Sequence, residues 1–278
     1  MRLHLPILCR ALLLFASVSL PAHAQSTPAG VTGKTIEYDV NGTHLKGYLA
    51  LPKNAKGKLP GVVIVHEWWG HNEYARHRAD MLAELGYAAF ALDMYGKGKQ
   101  AEDPKGAEHL MTEALSSGQI KARFDGAVKL LSADPQVDAT RIAAIGYCFG
   151  GNVVLSMAVA GEPLKGVVSF HGSMPAAAPL AKGVVKAKVL ILHGADDQFV
   201  KADAITAFKK ELDGGGVDYQ FVSYLGAKHG FTDKSNSMRG EMHHIPVGYN
   251  QDADEKSWTA MKTFFTKVFA QGTGATGR

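Results

Sequence analysis

Cys148 sits in Gly146-Tyr147-Cys148-Phe149-Gly150, a G-x-C-x-G pentapeptide between a strand-like apolar run (141–145) and a helix-like run (152–160). A strand–turn–helix of this kind lifts a nucleophile above the sheet edge. The glycines supply the permissive backbone and the close strand–helix approach that a sharp turn needs. A thiol attacks as thiolate, and the N-terminus of the following helix favours that charge. A base must take the proton, and a carboxylate must hold the base in one tautomer. Two later segments offer both, each directly after an apolar run. His193-Gly194-Ala195-Asp196-Asp197-Gln198-Phe199-Val200 follows 188–192, and Gly226-Ala227-Lys228-His229-Gly230-Phe231 follows 218–224. Asp197 is the expected acid and His229 the expected base, with Asp196 a competitor for the first role. His193 and His171 also end apolar runs. His171 is expected to line the floor of the site or to bond a neighbouring loop. His243 and His244 are adjacent, so they do not face one site well. With no Cys or acidic cluster at ligand spacing, neither a metal nor another cofactor is expected.

A thiolate attacking a carbonyl needs two N–H donors where the oxyanion develops. One is expected from Phe149, the residue after the nucleophile. The other is expected from the loop His66-Glu67-Trp68-Trp69-Gly70, with Trp68 N–H favoured.

These residues need a scaffold that brings strand ends together. Residues 35–40 and 44–51 read as a hairpin turning at Asn41-Gly42. Runs 61–66 and 87–92 are continuously apolar, as strands buried on both faces are. Runs 141–145, 166–170, 188–192 and 218–224 complete the strand set. Helical patterns fall at 72–85, 104–116, 120–132, 152–160, 202–212 and 254–270. Strands alternating with helices imply a mainly parallel central sheet with helices on both faces. In such sheets, sites form at the carboxyl ends of the strands. That architecture, with the chain order nucleophile, acid, histidine, is the α/β-hydrolase pattern. A single domain is expected over 35–270, after a flexible lead-in at 25–34 and before a disordered tail at 271–278.

The first residues read as an export signal. Arg2 and Arg10 carry positive charge, residues 11–20 are an apolar core too short to span a bilayer, and Ala22-His23-Ala24 is a cleavage signature. Cleavage after Ala24 would remove 24 of 278 residues, leave 254, and lower the formal charge from +4 to +2 as both arginines go. Of the two cysteines only Cys148 would remain, which excludes a disulfide-stapled fold. The near-neutral balance argues against nucleic-acid or membrane-surface binding. A periplasmic or secreted protein is expected, as a monomer or small homo-oligomer.

Five segments together resemble the dienelactone hydrolase family: Val65-His66-Glu67-Trp68-Trp69-Gly70, Asp93-Met94-Tyr95-Gly96, Gly146-Tyr147-Cys148-Phe149-Gly150-Gly151, 193–200, and His229-Gly230-Phe231. The likeness runs from about Thr35 to Phe269. It implies a Cys148–His229–Asp197 triad acting on a small-molecule ester or lactone through a thioester. It also implies that Glu67 contacts the resting thiol and takes part in its activation. Tyr95, Trp69 and Lys97 are the expected substrate contacts, with Trp68, Trp69 and Phe149 forming an apolar acyl pocket. The sequence departs from the family at two cationic positions. Lys97 stands where an arginine holds the substrate carboxylate, and Asp233 stands where a second cation is expected, so dienelactone itself is not the expected substrate. A peptidase or acyltransferase on the same fold, and a non-catalytic redox-sensing protein using Cys148, are the rival readings. A peptidase of this fold usually carries a further domain, for which 254 residues leave little room.

Overall fold

The computed structural model describes residues 27–176 and 178–270; the expected export signal and tail lie outside the described residues. Strand β1 (Val31–Val40) pairs antiparallel with β2 (Thr43–Pro52), and the chain turns at Asn41 and Gly42, both with positive φ. β1 begins inside the stretch expected to be flexible, because Val31 to Lys34 pair with Pro52 to Leu49. There follow β3 (Leu59–Val65), α1 (Glu73–Glu84), β4 (Ala88–Leu92), α2 (Pro104–Ser116), α3 (Ile120–Ala133) and β5 (Val137–Tyr147). Then come α4 (Phe149–Val159), β6 (Gly166–Phe170), β7 (Lys188–Gly194), α5 (Ala202–Gly214), β8 (Tyr219–Tyr224), α6 (Ser235–His243) and α7 (Gln251–Ala270).

The strands form one eight-stranded sheet in the order β1-β2-β4-β3-β5-β6-β7-β8. β2 runs antiparallel to β4, and every pair from β4 to β8 is parallel. The pleat sends alternate residues to opposite faces. Val63, Val65, Phe90, Ala144 and Ile191 meet α3, α4 and α5 through Phe124, Leu131, Val154, Phe208 and Leu212. Val62, Ile64, Ala91, Ile145 and Leu192 meet α1 and α7 through Ala79, Leu82, Met261, Phe264 and Phe265. Both faces are therefore covered, and the continuous apolar runs are explained by burial on both sides.

Two elements depart from expectation. β5 starts at Val137 rather than Arg141, since Val137 and Asp138 already pair with Leu59 and Pro60 before the register shifts at Gly61. α6 was not foreseen. Its first turn is organised by Asp233, whose carboxylate accepts the Ser235 N–H at 2.9 Å. No helix among the described residues is long and apolar enough to cross a membrane.

Candidate active site

The turn after β5 places Cys148 at φ 52°, ψ −114°, a conformation that costs a non-glycine residue about 1–3 kcal/mol. The glycines on either side permit it. A Cβ on Gly146 would sit 2.0 Å from the Gly150 carbonyl oxygen, and one on Gly150 would sit 2.2 Å from the Val65 carbonyl oxygen. α4 can therefore start directly behind the thiol and pack against the end of β3. Cys148 is half-buried and in no disulfide.

His229 follows β8 and reaches the thiol. Its imidazole hydrogen-bonds Cys148, and its Nδ1–H donates to Asp197 Oδ2 at 2.8 Å. Asp197 follows β7 and is fixed from the other side. Its Oδ1 accepts N–H bonds from Phe199 at 2.8 Å and Val200 at 3.3 Å. Burial opposes charge on His229, but the Cys148 sulfur and Asp197 outweigh it and hold its pKa well above the usual range. Burial also works against the Asp197 carboxylate, yet its bond to His229 wins and lowers its pKa. Asp197 holds the neutral ring with its proton on Nδ1, so the other nitrogen can take the thiol proton and the arrangement can hold the resulting thiolate–imidazolium pair. Adjacent Asp196 is exposed, whereas Asp197 is buried and bonded to His229.

The loop after β3 is clamped by His66. Its Nδ1–H donates to the Glu67 carbonyl at 2.6 Å, and its Nε2 accepts the Met94 N–H at 3.1 Å. The Tyr95 hydroxyl donates to the Trp68 carbonyl at 2.9 Å, which fixes the same loop. Neither Trp68 N–H nor Phe149 N–H has a hydrogen-bond partner among the described residues. For Phe149 this follows from its place at the first position of α4.

Glu67 is buried, and its Oε2 has no partner. Burial foremost, and then the Asp233 charge, push its pKa up to about 8, against Arg239, His229 and a hydrogen bond with Asn236. Its Oε1 lies 4.0 Å from His171 Nε2. A contact with the thiol, which the resemblance implied, is not among these partners.

The expected substrate contacts divide. Tyr95 is buried, with its ring against His66 and Phe149, and burial first and then the nearby Cys148 sulfur push its pKa up. Trp69 is 1% exposed and packs under Trp68 and Arg239, which makes it a floor and not a contact surface. Lys97, at a positive φ, is exposed and lines a surface groove with Lys46, His71 and Arg76. Asp233, expected to repel a carboxylate, is instead tied to Ser235 and to Arg239 Nη1 at 3.0 Å. Arg239 is a site residue that the sequence reading missed. It lies 4.5 Å over the Trp69 ring and comes from the unforeseen α6. Phe199 was also missed: it is 47% exposed and sits 5.0 Å from the His229 ring. His193 is buried against Phe221, and His243 and His244 end α6, so none of the three joins the thiol. His171 bonds both the Cys148 amide and Thr232 on the neighbouring loop, as expected of it.

A mainly parallel sheet with a glycine-flanked turn at the end of β5, and an acid and a histidine after β7 and β8, defines an α/β-hydrolase. The relatives narrow the class. The dienelactone hydrolase family matches residues 45–269, and the chain belongs to that family, a group of hydrolases that open ester and lactone bonds. Protein usf of Aquifex pyrophilus is 30% identical over 241 residues, covering 84% of this chain and 97% of its own. The solved structure named m3DLH is 36% identical with a TM-score of 0.79, covering 86% of this chain and 99% of its own. A dienelactone hydrolase-like promiscuous phosphotriesterase from metagenomic libraries is 33% identical with a TM-score of 0.78, over the same shares.

Proposed function

We propose that the protein hydrolyses carboxylic esters or lactones with Cys148 as nucleophile. The observation that carries this reading is the alignment of Asp197, His229 and Cys148 after three strands, with His229 bonded to Asp197 at 2.8 Å and interacting with the Cys148 thiol. His229 takes the thiol proton. The sulfur bonds the carbonyl carbon, and the carbonyl π pair moves to oxygen, where the Phe149 and Trp68 amides receive it. Collapse expels the alkoxide, which takes the proton from His229. Water, deprotonated by His229, then attacks the thioester and expels the thiolate. Exposed Phe199, against the His229 ring, and half-buried Trp68 supply apolar surface suited to an aryl or short acyl group. Glu67, held neutral by burial, places no negative charge against the thiolate.

The test is a panel of p-nitrophenyl esters, simple lactones and one aryl phosphotriester, the last because of the named relative's activity. Cys148→Ala is expected to lose ester turnover. Cys148 in the wild type is expected to react with iodoacetamide much faster than in His229→Ala. Full turnover by Cys148→Ala would overturn the reading, and equal labelling would remove His229 as the activating base. The charge, apolar core and cleavage signature of residues 1–24 support export. Mass spectrometry of the protein from its host is expected to find the N-terminus at Gln25; an intact Met1 would exclude cleavage.

A further inference from the structure

One buried chain of polar groups behind the thiol has no part in the steps above. His171 directly follows β6, has φ 42° and is fully buried. The Cys148 N–H points at the Phe170 carbonyl oxygen at 3.0 Å and at His171 Nδ1 at 3.1 Å. A backbone amide only donates, so Nδ1 carries a lone pair and the proton of the neutral ring is on Nε2. That Nε2–H donates to Thr232 Oγ1 at 2.7 Å. Thr232 Oγ1 lies 2.5 Å from the Tyr74 hydroxyl, which accepts Arg78 Nε–H at 3.1 Å. Arg78 Nη2 also donates to the Thr232 carbonyl at 2.7 Å and to Asp254 at 2.6 Å. The amide of the nucleophile is thus tied to α1 and α7 through one imidazole.

We propose that His171, backed by Thr232, is a positioning residue for Cys148, holding the left-handed turn through a neutral ring nitrogen that accepts the Cys148 N–H. The inference rests on Cys148 being the nucleophile. A thiol on a strained turn would relax unless the surroundings fix its backbone. Among the described residues, the groups bonded to its amide are the Phe170 carbonyl and this ring. Releasing the second tether lets φ and ψ relax, which moves both the sulfur and the Phe149 N–H that follows it. The ring must also stay uncharged. An imidazolium has no lone pair for the amide, and it would face the His229 ring at 5.4 Å. Burial first, and then the charges of His229 and Arg78, push the His171 pKa well below its usual value, in agreement with that role. Two neighbouring histidines thereby divide the work: one carries the proton in turnover, and the other stays neutral and holds the backbone.

The test compares His171→Leu, His171→Asn and Thr232→Val with the wild type. Asn tolerates a left-handed backbone and puts an acceptor oxygen close to where Nδ1 stood. Readouts are circular dichroism, kcat and KM on p-nitrophenyl butyrate, and the rate of iodoacetamide labelling at Cys148. A displacement of about 1 Å costs on the order of a hundredfold in rate. The Leu variant is accordingly expected to lose about thirtyfold or more in kcat and to label more slowly, with KM within about threefold. Asn is expected to return kcat to within about fivefold of the wild type. Thr232→Val keeps Nδ1 but removes its backing, and is expected to lower kcat about fivefold at unchanged KM. A folded Leu variant with wild-type kcat and labelling overturns the proposal, as does an Asn variant no better than Leu. Should the Leu variant not fold, Thr232→Val decides, and unchanged kcat and labelling overturn it. Cys148→Ala, assayed in parallel, keeps the two claims apart. Full activity there sinks the nucleophile reading, whereas a silent His171→Leu in an enzyme that needs Cys148 sinks the positioning role alone.

Discussion

Asp197 gives one carboxylate two duties. Oδ1 is held by two backbone N–H groups, and Oδ2 accepts Nδ1–H of His229. In an Asp197→Asn protein the same two amides would keep the carbonyl oxygen at Oδ1 and turn the NH₂ toward His229. Nδ1 would then have to accept, and the protonated Nε2 would face the sulfur in the tautomer that cannot take its proton. The expected loss in kcat is roughly 10³- to 10⁴-fold with little change in KM. Steady-state kinetics on p-nitrophenyl butyrate checks it, and a loss below tenfold would show that His229 does not depend on Asp197 for its tautomer. That Asp197 and His229 would meet was legible in the sequence, because each follows an apolar run in the order that the proposed triad needs. Glu67 was legible by position, but its neighbours were not. They come from the turn after β6, from the segment after β8 and from α6, far away in the chain.

Elements set how closely these residues approach. α4 starts against the end of β3 with no room for a side chain at Gly150, where an added Cβ would meet the Val65 and His66 carbonyl oxygens. Both obstacles are backbone, so they yield only if the helix or the strand moves. Gly150→Ala is expected to cost about 1–3 kcal/mol, as overpacking does. That corresponds to a melting temperature lower by roughly 3–10 °C. The loss in kcat should be larger than the stability loss suggests, because the shifted helix carries Phe149 N–H with it. Thermal melts and kinetics on one preparation check both, and an Ala variant with wild-type values would mean the approach is looser than these distances. The same scale explains what the sequence hid. The strands were readable from continuous apolar runs. α6 was not, since it buries only Asn236 and leaves Met238 and Met242 exposed, so it has no apolar face to show a helical period. Missing α6 meant missing Arg239, and with it the reason that Asp233 is not a free negative charge.

For the molecule as a whole, the site stores unfavourable electrostatics in an otherwise apolar fold. Glu67 is buried in the loop after β3 with one oxygen unpartnered. In the unfolded chain it ionises near 4.5; in the fold, burial and Asp233 push it up to about 8. A raised folded value favours the protonated form. The folded state therefore suffers no ionisation penalty below about pH 4.5, and loses relative stability as pH rises from there through about 8. Glu67→Gln removes that titration and leaves every other group in place. The stability of the Gln variant minus that of the wild type should be flat below pH 4.5. It should rise by at most about 1.4 kcal/mol per pH unit between there and pH 8, and level off above. The amide brings a fixed offset from its own hydrogen bonds, so the shape of the curve carries the argument and its height does not. Urea denaturation of both proteins at pH 4, 6, 8 and 9 measures it. A difference that stays constant over that range would mean that the carboxyl ionises in the fold near its free value of 4.5, and would remove the neutral Glu67 from the proposed chemistry.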